Sequence, residues 1–155
     1  MQLGRMFILK LSTRGKYGFR AILELAIHYG RGPIPLKNVS ERLDISQKYL
    51  ERLVTSLKSA GLVQSFRGAH GGYTLARHPS EIKLSEVIQT LEGSIALSEC
   101  VNNSAVCLRS KSCVVRGIWV EMKEAMNGVL KSTTLQDLVE QERAQEQRGE
   151  VMHYI

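Results

Sequence analysis

Apolar positions first recur at helical spacing between Ser12 and Gly30. Tyr17, Ala21, Leu25 and His28 share one side, with Ile22, Ala26 and Tyr29 adjoining. This predicts a helix capped by Ser12 or Thr13 and broken by Gly30, Gly32, Pro33 and Pro35. Leu36, Val39 and Leu43 then mark the inner side of a short second helix, 36–43. After a turn at Asp44–Ser46, Ser46 is suited to cap a third helix, 47–60. In it Leu50, Leu53, Val54 and Leu57 point inward, leaving Gln47, Lys48, Glu51, Arg52, Thr55 and Lys58 outside. Gly61 stands where a C′ glycine belongs. Two helices, a tight turn and a capped third helix form a helix-turn-helix pattern.

Residues 62–67 and 73–76 read as paired strands around Gly68-Ala69-His70-Gly71-Gly72. Three glycines in five residues mark a hairpin that needs unusual backbone angles or a close approach. A helix-turn-helix followed by such a hairpin is a winged helix, and Arg67, His70 and Arg77 flank the wing. A glycine-rich nucleotide loop is the competing reading, but no lysine-serine pair or following helix completes it. A short helix at 85–92, closed by Gly93, leads to a polar loop. The longest periodic segment follows, 114–132, with Val115, Ile118, Trp119, Met122, Ala125, Met126 and Val129 in one stripe. Thr133 or Thr134 caps a last helix.

The fold class is therefore mainly α with a small β-hairpin wing. The expected organisation is an N-terminal extension (1–10), a winged helix-turn-helix domain (11–92) and a cysteine loop (93–113). A dimerisation helix with a following short helix (114–140) and a polar, disordered tail (141–155) complete it. A long apolar stripe outside a unit that covers only half an operator points to a homodimer. Packing of the stripe on its own core is the alternative.

Charge sharpens the picture. Residues 1–78 carry 13 Lys and Arg against four acids, whereas 79–155 carry 8 against 11. A net of +9 followed by −3 suits an N-terminal half that binds a polyanion. No apolar run reaches the length of a membrane span, and no signal-peptide cleavage pattern is visible, so no membrane partner is expected. Three cysteines without a signal argue for the reducing cytoplasm and against a disulfide framework. His28, His70, His78 and His153 are scattered, and no catalytic constellation or small-molecule substrate site can be assembled around them.

All three cysteines lie within one stretch, ECVNNSAVCLRSKSCVVR. Six residues separate Cys100 from Cys107, and five separate Cys107 from Cys113. Asn102, Asn103, Ser104, Ser110 and Ser112 favour turns between them. Thiols gathered on such a loop suit zinc, copper(I) or an iron–sulfur cluster, although three unrelated free cysteines would read the same way.

KLSTRGKYGFRAILELA, ISQKYLERLVTSLKSAGLVQSFRGAHGGYTLAR and the three-cysteine loop together resemble one family. It is the dimeric winged-helix transcription regulators that include the iron–sulfur cluster regulator IscR, the nitric-oxide sensor NsrR and the cysteine-metabolism regulator CymR. The likeness runs from about Leu9 to Val139 and is strongest to the IscR type. It implies a homodimer on a pseudo-palindromic operator in double-stranded DNA, with helix 47–60 in the major groove. Gln47, Lys48, Tyr49 and Glu51 would reach bases or nearby phosphates; Arg67 with Gly68, His70 and Gly71 would enter the minor groove. Lys10, Arg14, Lys16 and Lys48 would contact phosphates, which position the protein without specifying sequence. The resemblance also implies that Cys100, Cys107 and Cys113 hold an iron–sulfur cluster, 2Fe–2S ahead of 4Fe–4S.

The pattern departs from the family at the fourth ligand. Arg116 stands where IscR-like members have histidine, and Lys16 where NsrR-like members have a carboxylate. Neither can ligate a metal while protonated. Glu99, Asn102, Asn103, Ser112, Glu24 or His28 of the partner subunit, or an exogenous thiol or water, remain open. Arg116 could instead donate hydrogen bonds to cluster sulfides. The sequence thus reads as a regulator that senses iron–sulfur status, redox state or nitric oxide. The alternatives are a cluster-free thiol-redox or metabolite-responsive regulator of the same fold, and a winged-helix protein-interaction module.

Overall fold

The computed structural model describes residues 10–149. Residues 1–9 of the expected extension and 150–155 of the expected tail lie outside that range. The chain forms α1 (Thr13–Ile27), α2 (Leu36–Leu43), α3 (Gln47–Ser59), β1 (Val63–Phe66), β2 (Gly72–Leu75), α4 (Leu84–Glu92), α5 (Glu99–Asn102), α6 (Val114–Ser132) and α7 (Leu135–Gln147).

The predicted caps set the helix starts. Ser12 Oγ accepts from the Gly15 N–H, and Ser46 Oγ from the Tyr49 N–H at 3.1 Å. Each satisfies a donor that the first turn leaves unpaired. Asp44 ends α2 in the left-handed region (φ 52°), which a short polar side chain tolerates and which turns the chain sharply into α3.

β1 and β2 pair antiparallel, Val63 opposite Leu75 and Phe66 opposite Gly72. The hairpin is anchored on its outer side by a two-bond bridge. The Ile34 and Tyr73 backbones exchange N–H···O bonds of 2.9 Å each.

One core unites α1, α2, α3, the hairpin and α4 through residues such as Ile22, Leu25, Leu50, Leu57, Leu75 and Val87. Leu135 and Val139 of α7 belong to it as well, at 0% and 1% exposure. The boundary expected at residue 92 therefore leaves out a helix that completes the core. The backbone contact between Leu84 N–H and Thr133 O (2.9 Å), with Leu135 N–H on Ile82 O (3.0 Å), returns the chain to the start of α4.

Helix α7 also runs to Gln147, so residues 141–147, expected within a disordered tail, are helical, and Glu142 among them is buried. Their apolar content is too low to show a period. Gln, Glu, Arg and Ala are nonetheless strong helix formers, and they extend a helix already docked by Leu135 and Val139.

Helix α6 differs from all other long helices in having no buried residue. Val115, Ile118, Met122 and Val129 are 56%, 51%, 39% and 64% exposed. No described helix is long and apolar enough to cross a membrane.

Candidate nucleic-acid interface and cysteine loop

Because Leu50, Leu53, Val54 and Leu57 bury the inner side of α3, its other residues face outward. Gln47, Lys48, Glu51 and Arg52 are exposed. Tyr49 is half-buried instead, its ring meeting Tyr17 edge-on at 6.2 Å, with the Arg20 guanidinium 5.6 Å from the Tyr17 ring. Tyr49 is thus braced against α1, a pairing that helical spacing within either segment alone does not reveal. Arg14, Lys48, Glu51, Arg52, Thr55 and Ser56 line one shallow open depression of about 460 Å³. Three guanidinium or ammonium groups around a groove beside a protruding helix suit a phosphate backbone.

Arg14 is not a free side chain in that groove. Its Nε donates to the Leu91 carbonyl at the end of α4 (3.2 Å), and its Nη2 donates to Ser56 Oγ on α3 (2.8 Å). Lys16 is exposed at the same end of α1.

In the wing, Arg67, Gly68 and His70 are exposed and Gly71 is half-buried. Gly68 has φ 109°, and its carbonyl accepts from the Gly71 N–H at 3.0 Å. A Cβ on Gly71 would collide with the Phe66 carbonyl. Arg77, expected to flank the wing, is engaged elsewhere. Its guanidinium bonds the Glu81 carbonyl at 2.9 Å and the Glu86 carboxylate at 2.7 Å. Burial pushes the Glu86 carboxyl up, but the hydrogen bonds and charges of Arg77 and Lys83 outweigh it and leave the group below its ordinary range.

The cysteine loop leaves α4 at Gly93 (φ 77°). Cys100 is half-buried on the single turn α5, and Cys107 and Cys113 are exposed. Cys113 caps α6, its Sγ accepting from the Arg116 N–H at 3.4 Å. Among the described residues, no three His, Cys, Asp or Glu side chains gather closely enough to hold a metal ion. The three thiols are therefore placed on one loop without converging.

Arg116 has a defined role here: its Nε donates to the Cys100 carbonyl at 2.9 Å, tying α6 to α5. Asn102 Oδ1 accepts from Ser94 Oγ (3.0 Å) and Lys123 Nζ (2.8 Å), a second tie between the same elements.

Of the fourth-ligand candidates, Asn103 Oδ1 accepts from the Ala105 N–H and Asn102 is engaged as above. Glu24 is ion-paired to Arg42, whose Nη1 also donates to His28 Nε2 at 3.0 Å. Because a guanidinium only donates, the His28 proton sits on Nδ1, facing the Glu24 carbonyl at 2.9 Å. Glu99 is exposed.

Residues 11–141 match the Rrf2 family model, described as an iron-dependent transcriptional regulator. The chain is 41% identical over 130 residues to the HTH-type transcriptional regulator CymR of Bacillus subtilis (strain 168), covering 84% of this chain and 89% of that protein. It is 37% identical over 131 residues to the HTH-type transcriptional regulator IscR of Photorhabdus laumondii, covering 84% and 79%. Among solved structures, the B. subtilis global cysteine regulator CymR superposes with a TM-score of 0.73, over 86% of this chain and 98% of that one, at 41% identity. T. potens IscR superposes with a TM-score of 0.72 over 97% of each chain, at 38% identity. A helix with an exposed basic side, a glycine wing and likeness along nearly the whole length agree: the chain belongs to the Rrf2 family of transcriptional regulators, DNA-binding proteins rather than enzymes.

Proposed function

We propose that this regulator binds a pseudo-palindromic operator as a cytoplasmic homodimer and that its cysteine loop is the sensor. The observation that carries the DNA reading is the exposed outer side of α3, whose Lys48 and Arg52 share one open depression with Arg14, while Lys16 on α1 and Arg67 and His70 on the wing are exposed as well. Gln47 and Glu51 carry groups able to pair with adenine and cytosine edges, and Tyr49 lies beside them, held in place by Tyr17. Lys16, Lys48 and Arg14 supply sequence-independent attraction, and Arg67 with the Gly68, His70 and Gly71 backbone suits a narrow minor groove. The partner subunit is met through the exposed α6 stripe.

For the sensor, the chemistry of the donor set fits an iron–sulfur cluster. Cys100, Cys107 and Cys113 are free thiols on one loop, and soft thiolates are the ligands such clusters take. A bound cluster would supply a centre whose charge and ligation change on oxidation or on reaction with nitric oxide. Arg116 and Lys123 tie α5 to α6 beside this loop, so a change in its order reaches the dimer helix. The separation of the thiols favours a second reading: two exposed sulfurs, Cys107 and Cys113, open to direct oxidation without metal.

The DNA assignment is tested by paired variants on a duplex selected from a random pool. Glu51→Ala should relax base preference at one operator position. Lys16→Ala should weaken all sequences alike and lower the salt slope by about 0.9 per lost phosphate contact. Equal losses on every sequence for both variants would refute the groove assignment. For the sensor, anaerobically purified protein should show sulfur-to-iron absorption that Cys107→Ala abolishes. Colourless protein whose DNA affinity still responds to thiol oxidants would establish the metal-free reading instead.

A further inference from the structure

The first turn of α1 grips the last turn of α4. Ser12 donates to the Glu92 carboxylate through its hydroxyl, and its N–H lies 3.4 Å from the same group. Gly15 and Gly18, one turn apart, permit the approach. A Cβ at Gly15 would collide with the Glu92 carboxylate, and one at Gly18 would lie 2.5 Å from the Leu91 side chain. Arg14 projects from this junction. Its Nε takes the Leu91 carbonyl, one of those that a helix end leaves unpaired, at the negative end of the α4 dipole. Its Nη2 takes Ser56 Oγ, whose hydroxyl in turn lies 3.3 Å from the Arg52 carbonyl of α3. The residue after Glu92 is Gly93, where the cysteine loop departs.

We infer that Arg14 is a positioning residue that couples the cysteine loop to the DNA-reading helix, its guanidinium fork bonded at once to the end of α4 and to Ser56 of α3. The inference rests on the loop being the sensor and adds the path by which its state reaches DNA. While α4 ends in the observed place, Arg14 is held in the same depression as the cations Lys48 and Arg52 and the carboxylate of Glu51. A loop that pulls Leu91 and Glu92 away withdraws the carbonyl from Nε. The guanidinium then leaves Ser56, and both the charge on the reading face and the brace on α3 change. A planar fork with separate Nε and Nη2 donors spans both acceptors; a lysine ammonium carries the same charge on a single nitrogen without that fixed spacing.

The test compares the full-length wild type with Arg14→Lys and Ser56→Ala, each with free thiols and after carbamidomethylation of the cysteines by iodoacetamide. Two quantities are read: amide hydrogen exchange of residues 47–59, and Kd for a duplex selected from a random-sequence pool. In the wild type, alkylation should change Kd by at least about fivefold and alter α3 exchange, as expected for two linked sites. In Arg14→Lys, which keeps the charge, the ratio of alkylated to free-thiol Kd, each measured on that variant itself, should shrink to about twofold or less, and Ser56→Ala should attenuate it without any change of charge. A wild-type-sized response in both variants, each melting cooperatively, overturns the coupling and leaves the sensor reading standing. No response in the wild type overturns the sensor reading, and this inference with it.

Discussion

A methyl group on Gly72 would collide with the Ile34 carbonyl and lie 2.8 Å from the Pro35 nitrogen. Both neighbours are backbone within the bridge that anchors the wing, so neither can give way. Gly72→Ala should therefore destabilise the fold by roughly 1–3 kcal/mol, read as a shift in the urea midpoint. Gly18→Ala meets only the movable end of Leu91, and its loss should be smaller. Equal midpoints for Gly72→Ala and wild type would show that the 33–35 segment yields.

At Asp137, the Thr134 N–H and hydroxyl both bond the carboxylate, at 2.7 and 2.9 Å, and hold it below its ordinary value of 3.8. A depressed carboxyl lends stability above its unfolded value and loses it as pH falls through the folded one. Melting temperature should therefore fall from about pH 5 to pH 3. Asp137→Asn should flatten that fall while melting lower at pH 7; an unchanged profile would deny the cap its role. The role of Gly15 and Gly18 was not legible, because their contacts, Glu92 and Leu91, lie far along the chain. Local caps needed only their neighbours: Ser46 could be read directly, and Ser12 and Thr134 to within one residue.

At the scale of elements, α6 stands apart: a 19-residue helix with no fully buried residue, in whose apolar stripe Trp119 and Met126 are half-buried while Val115, Ile118 and Val129 are more than half exposed. If the stripe is the dimer contact, Ile118→Glu buries a charge in it and should yield monomer in analytical ultracentrifugation. Operator affinity should then collapse, because two half-sites are no longer met together. A dimer of unchanged strength would move the contact elsewhere. The 3.6-residue period made α1, α2, α3 and α6 visible because each has a wide apolar side. The far end of α7 was hidden because the one buried residue there is an acid, Glu142, and no hydrophobic stripe marks it. The thiol positions were hidden for a different reason: a loop of Asn and Ser is placed by hydrogen bonds such as Arg116 to Cys100 and Lys123 to Asn102, and no periodicity encodes these.

Across the whole molecule, the charge asymmetry and the winged-helix order pointed to a polyanion-binding half, and the resemblance of residues 9–139 to a known family supplied the DNA-binding regulator. The sequence order of parts, however, is not their order in space. Residues 94–133 contribute no fully buried side chain to the core, touching it through Leu130, and the chain re-enters it at α7, whose Leu135 and Val139 sit at 0% and 1% exposure. Topologically the cysteine loop and α6 are an insertion into a single domain, with both ends fastened to it. The exit lies at the end of α4, while the re-entry is bonded to its start, about 14 Å away for a nine-residue helix. Such an insertion cannot swing as a tethered module would. On the sensor reading proposed above, a rearrangement within it acts on α4 from both ends, and Arg14 holds the end at which the chain departs.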